Sequence, residues 1–95
     1  MRLFVTGTDT DVGKTVVSSW ICMHTGAAYW KPIQTGNDSD SGVIQKYSTA
    51  TVVIPEVYRL AAPLSPYNAA HCEGLEIDSH KLICHSNHVV IEGAG

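Results

Sequence analysis

The sequence has no long apolar run. Stretches such as Val52-Val53-Ile54 and Val89-Val90-Ile91 fall far short of the roughly 18 residues a membrane span needs. Leu3-Phe4-Val5 is interrupted by Thr6-Gly7, so no signal-peptide core follows Arg2. Positive charge is scarce: six Lys+Arg face nine Asp+Glu, for a net charge of −3. That leaves no basic field to hold a nucleic-acid backbone. Three cysteines, Cys22, Cys72 and Cys84, make an odd number at spacings that match no disulfide framework. They are expected to be reduced thiols in a cytoplasmic protein. Repeats, low-complexity tracts and Pro/Gly/Ser-rich linkers are all missing, which excludes a solenoid or a two-part chain.

What is present is the composition of a globular domain, 44% hydrophobic and 16% charged over 95 residues. The expectation is one domain over residues 1–95, near the size at which core burial barely offsets chain entropy. Its last strand runs into Glu92-Gly93-Ala94-Gly95, which reads as a loop leading onward. The chain is therefore expected to be cut short.

Residues 2–6 form a short β-favouring run that stops at Gly7. From Gly13 to about Thr25 the pattern turns helical, with Val16, Val17, Trp20, Ile21 and His24 expected on the buried side. Gly26 stands where a C′ glycine ends a helix. Residues 28–31 read as a strand stopped by Pro32. Asp38 or Ser39 then caps a short helix expected to bury Val43, Ile44 and Tyr47. Thr51 to Ile54 is ambiguous and ends at Pro55. Ser65-Pro66 opens a helix to about Cys72, Asp78 or Ser79 another through about His85, and residues 88–91 a closing strand. This alternation predicts an α/β fold with a parallel sheet flanked by helices.

Between the first strand and the first helix lies Gly7-Thr8-Asp9-Thr10-Asp11-Val12-Gly13-Lys14-Thr15. In such a loop, backbone N–H groups converge on phosphate oxygens at the positive end of the helix dipole. Gly13 permits close approach, Lys14 reaches the outer phosphates, and Thr15 offers its hydroxyl to Mg²⁺. Five residues separate the glycines instead of the usual four. A Gly-x-Gly-x-x-Gly dinucleotide turn is absent, so the loop is one for a mononucleotide. Phosphate-bound Mg²⁺ also seeks carboxylates. Glu92 would emerge at the C-terminal end of its strand, the ligand-binding edge of an open α/β sheet. Asp40 is a second candidate, with ordinary helix-N-terminal chemistry as its plain alternative.

On these residues the chain resembles the dethiobiotin synthetases, P-loop NTPase-like enzymes. Residues 7–15 are similar to that family's extended phosphate loop, and Trp30-Lys31-Pro32-Ile33-Gln34-Thr35-Gly36 to its Lys-Pro-x-x-[Ser/Thr]-Gly segment. Asp40 matches an aspartate that follows, Pro63-Leu64-Ser65-Pro66 a Pro-x-Ser-Pro element, and residues 92–95 its Glu-Gly-Ala-Gly. The resemblance implies ATP- and Mg²⁺-dependent closure of a urea ring from CO₂ and 7,8-diaminononanoate, through a phosphorylated carbamate. It further implies that Lys31 is catalytic, that Thr35 contacts substrate, and that Thr15, Asp40 and Glu92 hold Mg²⁺. Asp11, Val12, Gly13, Lys14, Thr15 and Val16, together with Asp40, Glu92, Gly93, Ala94 and Gly95, would form the nucleotide site. The family implies a homodimer in the full-length form, small-molecule substrates, and no nucleic-acid or membrane partner. The 95-residue form alone is expected to be inactive.

Departures exist. Tyr67 stands where the family often has His and is assigned no role, and the spacers around Lys31 are short. Without the family, Lys31 would read as a strand-end surface lysine. Two other functions compete. A partitioning-type ATPase would carry a second lysine early in the loop, and residues 7–12 contain none. A non-catalytic synthetase-like module would tend to lose Lys14, Thr15 and Lys31. His80, Cys84 and His88 recur every four residues, a spacing that would suit zinc ligands on one helix face, but the strand pattern from His88 breaks that face.

Overall fold

A computed structural model describes residues 1–7, 12–36 and 39–94. Strand β1 (Arg2–Val5) is followed by helix α1 (Val12–Thr25), strand β2 (Ala28–Trp30) and strand β3 (Ile33–Thr35). Helix α2 (Asp40–Tyr47), strands β4 (Val53–Ile54) and β5 (Tyr58–Leu60), helix α3 (Pro66–Cys72) and strand β6 (Val89–Glu92) complete the order. Four strands form a parallel sheet in the order β1-β6-β2-β4, and β3 pairs with β5, also in parallel, in a separate small sheet. The chain is thus α/β with helices packed on a parallel sheet.

Punctuation residues end the elements as their chemistry requires. Gly26 adopts φ 72°, and its N–H donates to the Cys22 carbonyl at 3.0 Å, closing α1 through a left-handed residue. Ser39 caps α2 by accepting the Gly42 N–H at 3.1 Å. Pro66 occupies the first turn of α3, where its missing N–H costs nothing. Pro32 stops β2, and its carbonyl accepts from Val57 and Tyr58 at 2.8 and 3.0 Å, tying the large sheet to the small one.

Strand register places the site. Tyr29 pairs with Val90 and Trp30 with Ile91, so Lys31 follows on a level with Glu92, while Val5 pairs directly with Glu92. Side chains alternate across a sheet; Tyr29, Val90, Lys31 and Glu92 therefore share the face covered by α1 and α2. Beneath the site that face is apolar, with Cys22, Ala27, Tyr29, Ile44 and Val90 forming one buried cluster. A second cluster of Leu60, Ala69 and Ala70 lies where α3 packs on the small sheet.

Several expectations fail here. The first helix does not bury Val16, Val17, Trp20 and His24: Val16, Val17 and Trp20 are 55%, 50% and 60% exposed, and His24 is also exposed. Its inner stripe is Thr15, Ser18, Ser19 and Cys22, spaced i, i+3, i+4, i+7. Small polar side chains let α1 approach the strand ends closely, and two of their hydroxyls find a partner there. Hydropathy misleads because the inner face of this helix lines a polar site. Tyr47 is exposed rather than buried, while Ile44 is fully enclosed.

The helix expected from residue 78 to 85 is a single 3-10 turn, Ser79–Lys81, capped by Asp78. After it the chain runs irregularly past Arg2, whose guanidinium donates to the Ser86 carbonyl and to Asn87 Oδ1 at 3.0 and 3.1 Å. His80 therefore turns to Asp78, and His88 Nε2 lies 2.8 Å from the Thr25 carbonyl. Among the described residues no group of three or more His, Cys, Asp or Glu gathers as a metal cluster. Nor is any described helix long and apolar enough to cross a membrane. Of the ambiguous run 51–54 only Val53–Ile54 forms a strand, β4, whereas β3 and β5 were not anticipated.

Candidate functional site

Glu92, the last residue of β6, is the hub. It is 1% exposed, and both carboxylate oxygens are engaged. Oε1 accepts from Ser18 Oγ at 3.1 Å, and Oε2 accepts from Thr15 Oγ1 at 3.2 Å. Lys31 Nζ lies 3.5 Å from Oε2 and makes a short ion pair with Asp40. Residues from β6, the first turns of α1, the end of β2 and the start of α2 thus converge on one edge of the sheet.

Burying a carboxylate disfavours its charged form, and a second carboxylate nearby adds to the effect. Burial and then Asp40 raise the Glu92 carboxyl above its ordinary value, partly offset by the Lys31 ammonium and the Ser18 hydroxyl. The Tyr29 phenol lies beneath, fully buried. Burial, then the negative charges of Glu92 and Asp40, push this phenol well above its usual range and keep it neutral.

Asp40 sits in the first turn of α2, held by a residue that sequence reasoning missed. Gln34 is 3% exposed; its Oε1 accepts the Asp40 backbone N–H at 3.2 Å, and its Nε2 donates to the Thr35 carbonyl at 2.9 Å. One side chain thereby links β3 to α2. Ser18 was missed as well. Its signal was available, since Ser18 follows Thr15 by three positions and so shares its helix face.

The remaining candidates fall into place unevenly. Lys14 lies over Gly7, where an added Cβ would meet its Cδ at 3.4 Å, and its Nζ reaches within 3.5 Å of the Gly93 carbonyl. Gly93 donates its N–H to the Val5 carbonyl at 3.0 Å, and a Cβ there would meet Phe4 Cζ at 3.1 Å. Val12 opens α1, Gly13 is exposed in the same first turn, and Ala94 is half-buried. Val16 points outward with 55% exposure, so its side chain does not join the cluster. Thr35 lies in the small sheet, paired with Leu60. The adjoining Gly36, at φ +83°, stands against Pro63, 3.5 Å from an added Cβ, which brings residues 30–36 to the Pro63–Pro66 segment. Tyr67 stacks on His71 with ring centroids 6.4 Å apart. Asp11 and Gly95 lie outside the described residues.

A parallel sheet with a strand, a Gly-Lys-Thr helix start and a buried carboxylate at the neighbouring strand end defines a P-loop nucleotide-binding class of protein. In agreement, a family model described as an AAA domain matches residues 1–95. The chain belongs to this family.

Within it, the chain is similar along its whole length to proteins named ATP-dependent dethiobiotin synthetase BioD. It is 47% identical to the one from Lawsonia intracellularis over 98 residues, which cover 100% of this chain and 48% of the relative. The protein from Paramagnetospirillum magneticum is 46% identical, covering 98% of this chain and 47% of its own length. That from Brucella ovis is 44% identical, with 99% and 47% covered. The chain spans about half the length of the curated relatives it matches.

Proposed function

We propose that this chain carries the nucleotide- and metal-binding half of an enzyme that closes a cyclic urea, converting 7,8-diaminononanoate and CO₂ to dethiobiotin with ATP. The observation that carries the reading is the meeting of Thr15, Lys31, Asp40 and Glu92, far apart in sequence, at one sheet edge beside the Lys14 ammonium. The relatives' names support dethiobiotin as the product and the use of ATP.

In this reading the diamine reacts with CO₂ at one nitrogen, losing a proton and forming a carbamate. A carbamate oxygen attacks the γ-phosphorus of ATP and ADP leaves, which converts a poor electrophile into a mixed anhydride. The second amine then attacks the carbamoyl carbon, phosphate departs with the C–O bond electrons, and the nitrogen releases its proton. Phosphoryl transfer of this kind needs positioning and charge neutralisation more than covalent help from the protein. Lys14 neutralises the outer phosphates from the start of α1. Lys31 holds its charge at the sheet edge, where the carbamate and the γ-phosphate would meet, and Thr35 would contact substrate from β3.

Mg²⁺ fits the residues present. Thr15 offers a hydroxyl, and Asp40 and Glu92 offer hard carboxylate oxygens of the type this ion selects. The Lys31 ammonium already sits against both carboxylates, so the pocket is built around a positive charge. When bound, the ion would neutralise charge on the transferring phosphate, with phosphate oxygens and water completing its shell. The reading also carries a cytoplasmic homodimer, which light scattering of the gene's complete product would check.

Labelled bicarbonate tests the reaction. With ATP, Mg²⁺ and the diamine, the complete product should fix acid-stable label and release phosphate in equal amounts. ATP hydrolysis indifferent to the diamine would instead favour a nucleotide-driven switch.

A further inference from the structure

We propose that Ser18 is a positioning residue for the metal site: its hydroxyl clamps one oxygen of Glu92, so that the other is presented to the divalent ion. The proposal rests on the metal-binding reading above. Ser18 is completely buried on the inner face of α1, one turn beyond Thr15. A serine inside a helix commonly returns its hydroxyl to the carbonyl one turn back. Here it reaches across to a strand 74 positions away and donates to Glu92 Oε1 at 3.1 Å.

The two oxygens of Glu92 are thereby made unequal. Oε1 is committed to Ser18, while Oε2 faces Thr15 Oγ1 at 3.2 Å and the Lys31 ammonium at 3.5 Å. A carboxylate anchored at Oε1 cannot rotate freely about its Cγ–Cδ bond, so Oε2 keeps its bearing toward the ion, which would take the place the Lys31 ammonium holds. Hydrogen-bond partners of metal ligands typically matter by about 10- to 100-fold in metal affinity. The competing explanation is that Ser18 is merely small, permitting close helix–strand packing; alanine would serve that purpose equally.

The experiment uses the gene's complete product with Mn²⁺ as probe, free Mn²⁺ being read by electron paramagnetic resonance in the presence of ADP. Ser18→Ala should weaken Mn²⁺ binding about 10-fold or more. ADP affinity measured in EDTA should stay within about twofold of wild type, a separation that general loss of packing would not produce. Ser18→Cys fills the same space with a poor donor and should weaken Mn²⁺ binding in the same direction, which guards against a packing defect peculiar to alanine. Wild-type Mn²⁺ affinity in both variants, alongside lost affinity in Glu92→Gln, would overturn the role of Ser18 while leaving the metal site standing. Undiminished affinity in Glu92→Gln as well would overturn the metal reading itself, and the Ser18 proposal with it.

Discussion

Replacing Lys31 by methionine keeps most of the side chain's length and removes its charge. Lys31 is 6% exposed and touches two carboxylates, Asp40 and Glu92, the second of them 1% exposed. Removing one partner of a buried ion pair typically costs about 3–5 kcal/mol, because the other charge stays desolvated and unpaired. The Asp40 side chain is 22% exposed and solvent relieves part of its cost, which places the expected loss near the lower end, about 3 kcal/mol. For a product as long as the curated relatives, of which this chain covers 48%, that corresponds to a fall in Tm of about 6–12 °C. Urea unfolding of the complete product in EDTA, followed by far-UV circular dichroism, measures it. Mg²⁺ with ADP should narrow the gap between variant and wild type, since the ion supplies the missing positive charge between the same carboxylates. Unchanged stability of Lys31→Met in EDTA would refute the reasoning, because Lys31 would then contribute nothing to the burial of Glu92. Turnover should be lost in this variant even where nucleotide binding persists.

Lys14→Ala should weaken ATP binding by at least about tenfold, as expected for a charge-assisted contact worth about 1.5–3 kcal/mol; equilibrium dialysis with labelled ATP checks it, and undiminished affinity would remove Lys14 from the phosphate site. Cys22 and Tyr29 both hold their protons more tightly folded than unfolded, from usual values of 9.0 and 10.0. The native state therefore binds more protons above about pH 9, and stability should fall as pH rises beyond it. Cys22→Ser and Tyr29→Phe should each flatten that decline in alkaline urea titrations. In the native protein, iodoacetamide should label the exposed Cys72 well before the buried Cys22; equal rates would contradict the packing of α1 on the sheet.

Much of this was legible in the sequence because strong local chemistry spoke for it. Gly26, Ser39 and Pro66 end or open helices through backbone conformation and, at Ser39, side-chain capping, which depend on few neighbours; the Ser65 side chain makes no capping bond. The carboxylate at Glu92 could be placed because an apolar run led into it. The inner face of α1 was not legible from hydropathy, although the three-residue spacing of Thr15 and Ser18 carried a signal. Its apolar residues Val16, Val17 and Trp20 point outward in this chain, while Thr15 and Ser18 are drawn inward by a partner more than seventy positions away. The small sheet of β3 and β5 was equally hidden, since each strand has three residues and pairing between them is entirely non-local. Gln34 belonged to a stretch that read simply as polar, and its role emerges only when α2 sits against it.

The most direct test locates the ion. In crystals of the complete product grown with Mn²⁺ and an ATP analogue, the account predicts an anomalous peak within coordinating distance of Thr15 Oγ1 and of carboxylate oxygens from Asp40 and Glu92. The Lys31 ammonium should then have moved off the carboxylates toward the γ-phosphate. A Mn²⁺ peak elsewhere, with Lys31 still lodged against Asp40 and Glu92, would contradict it.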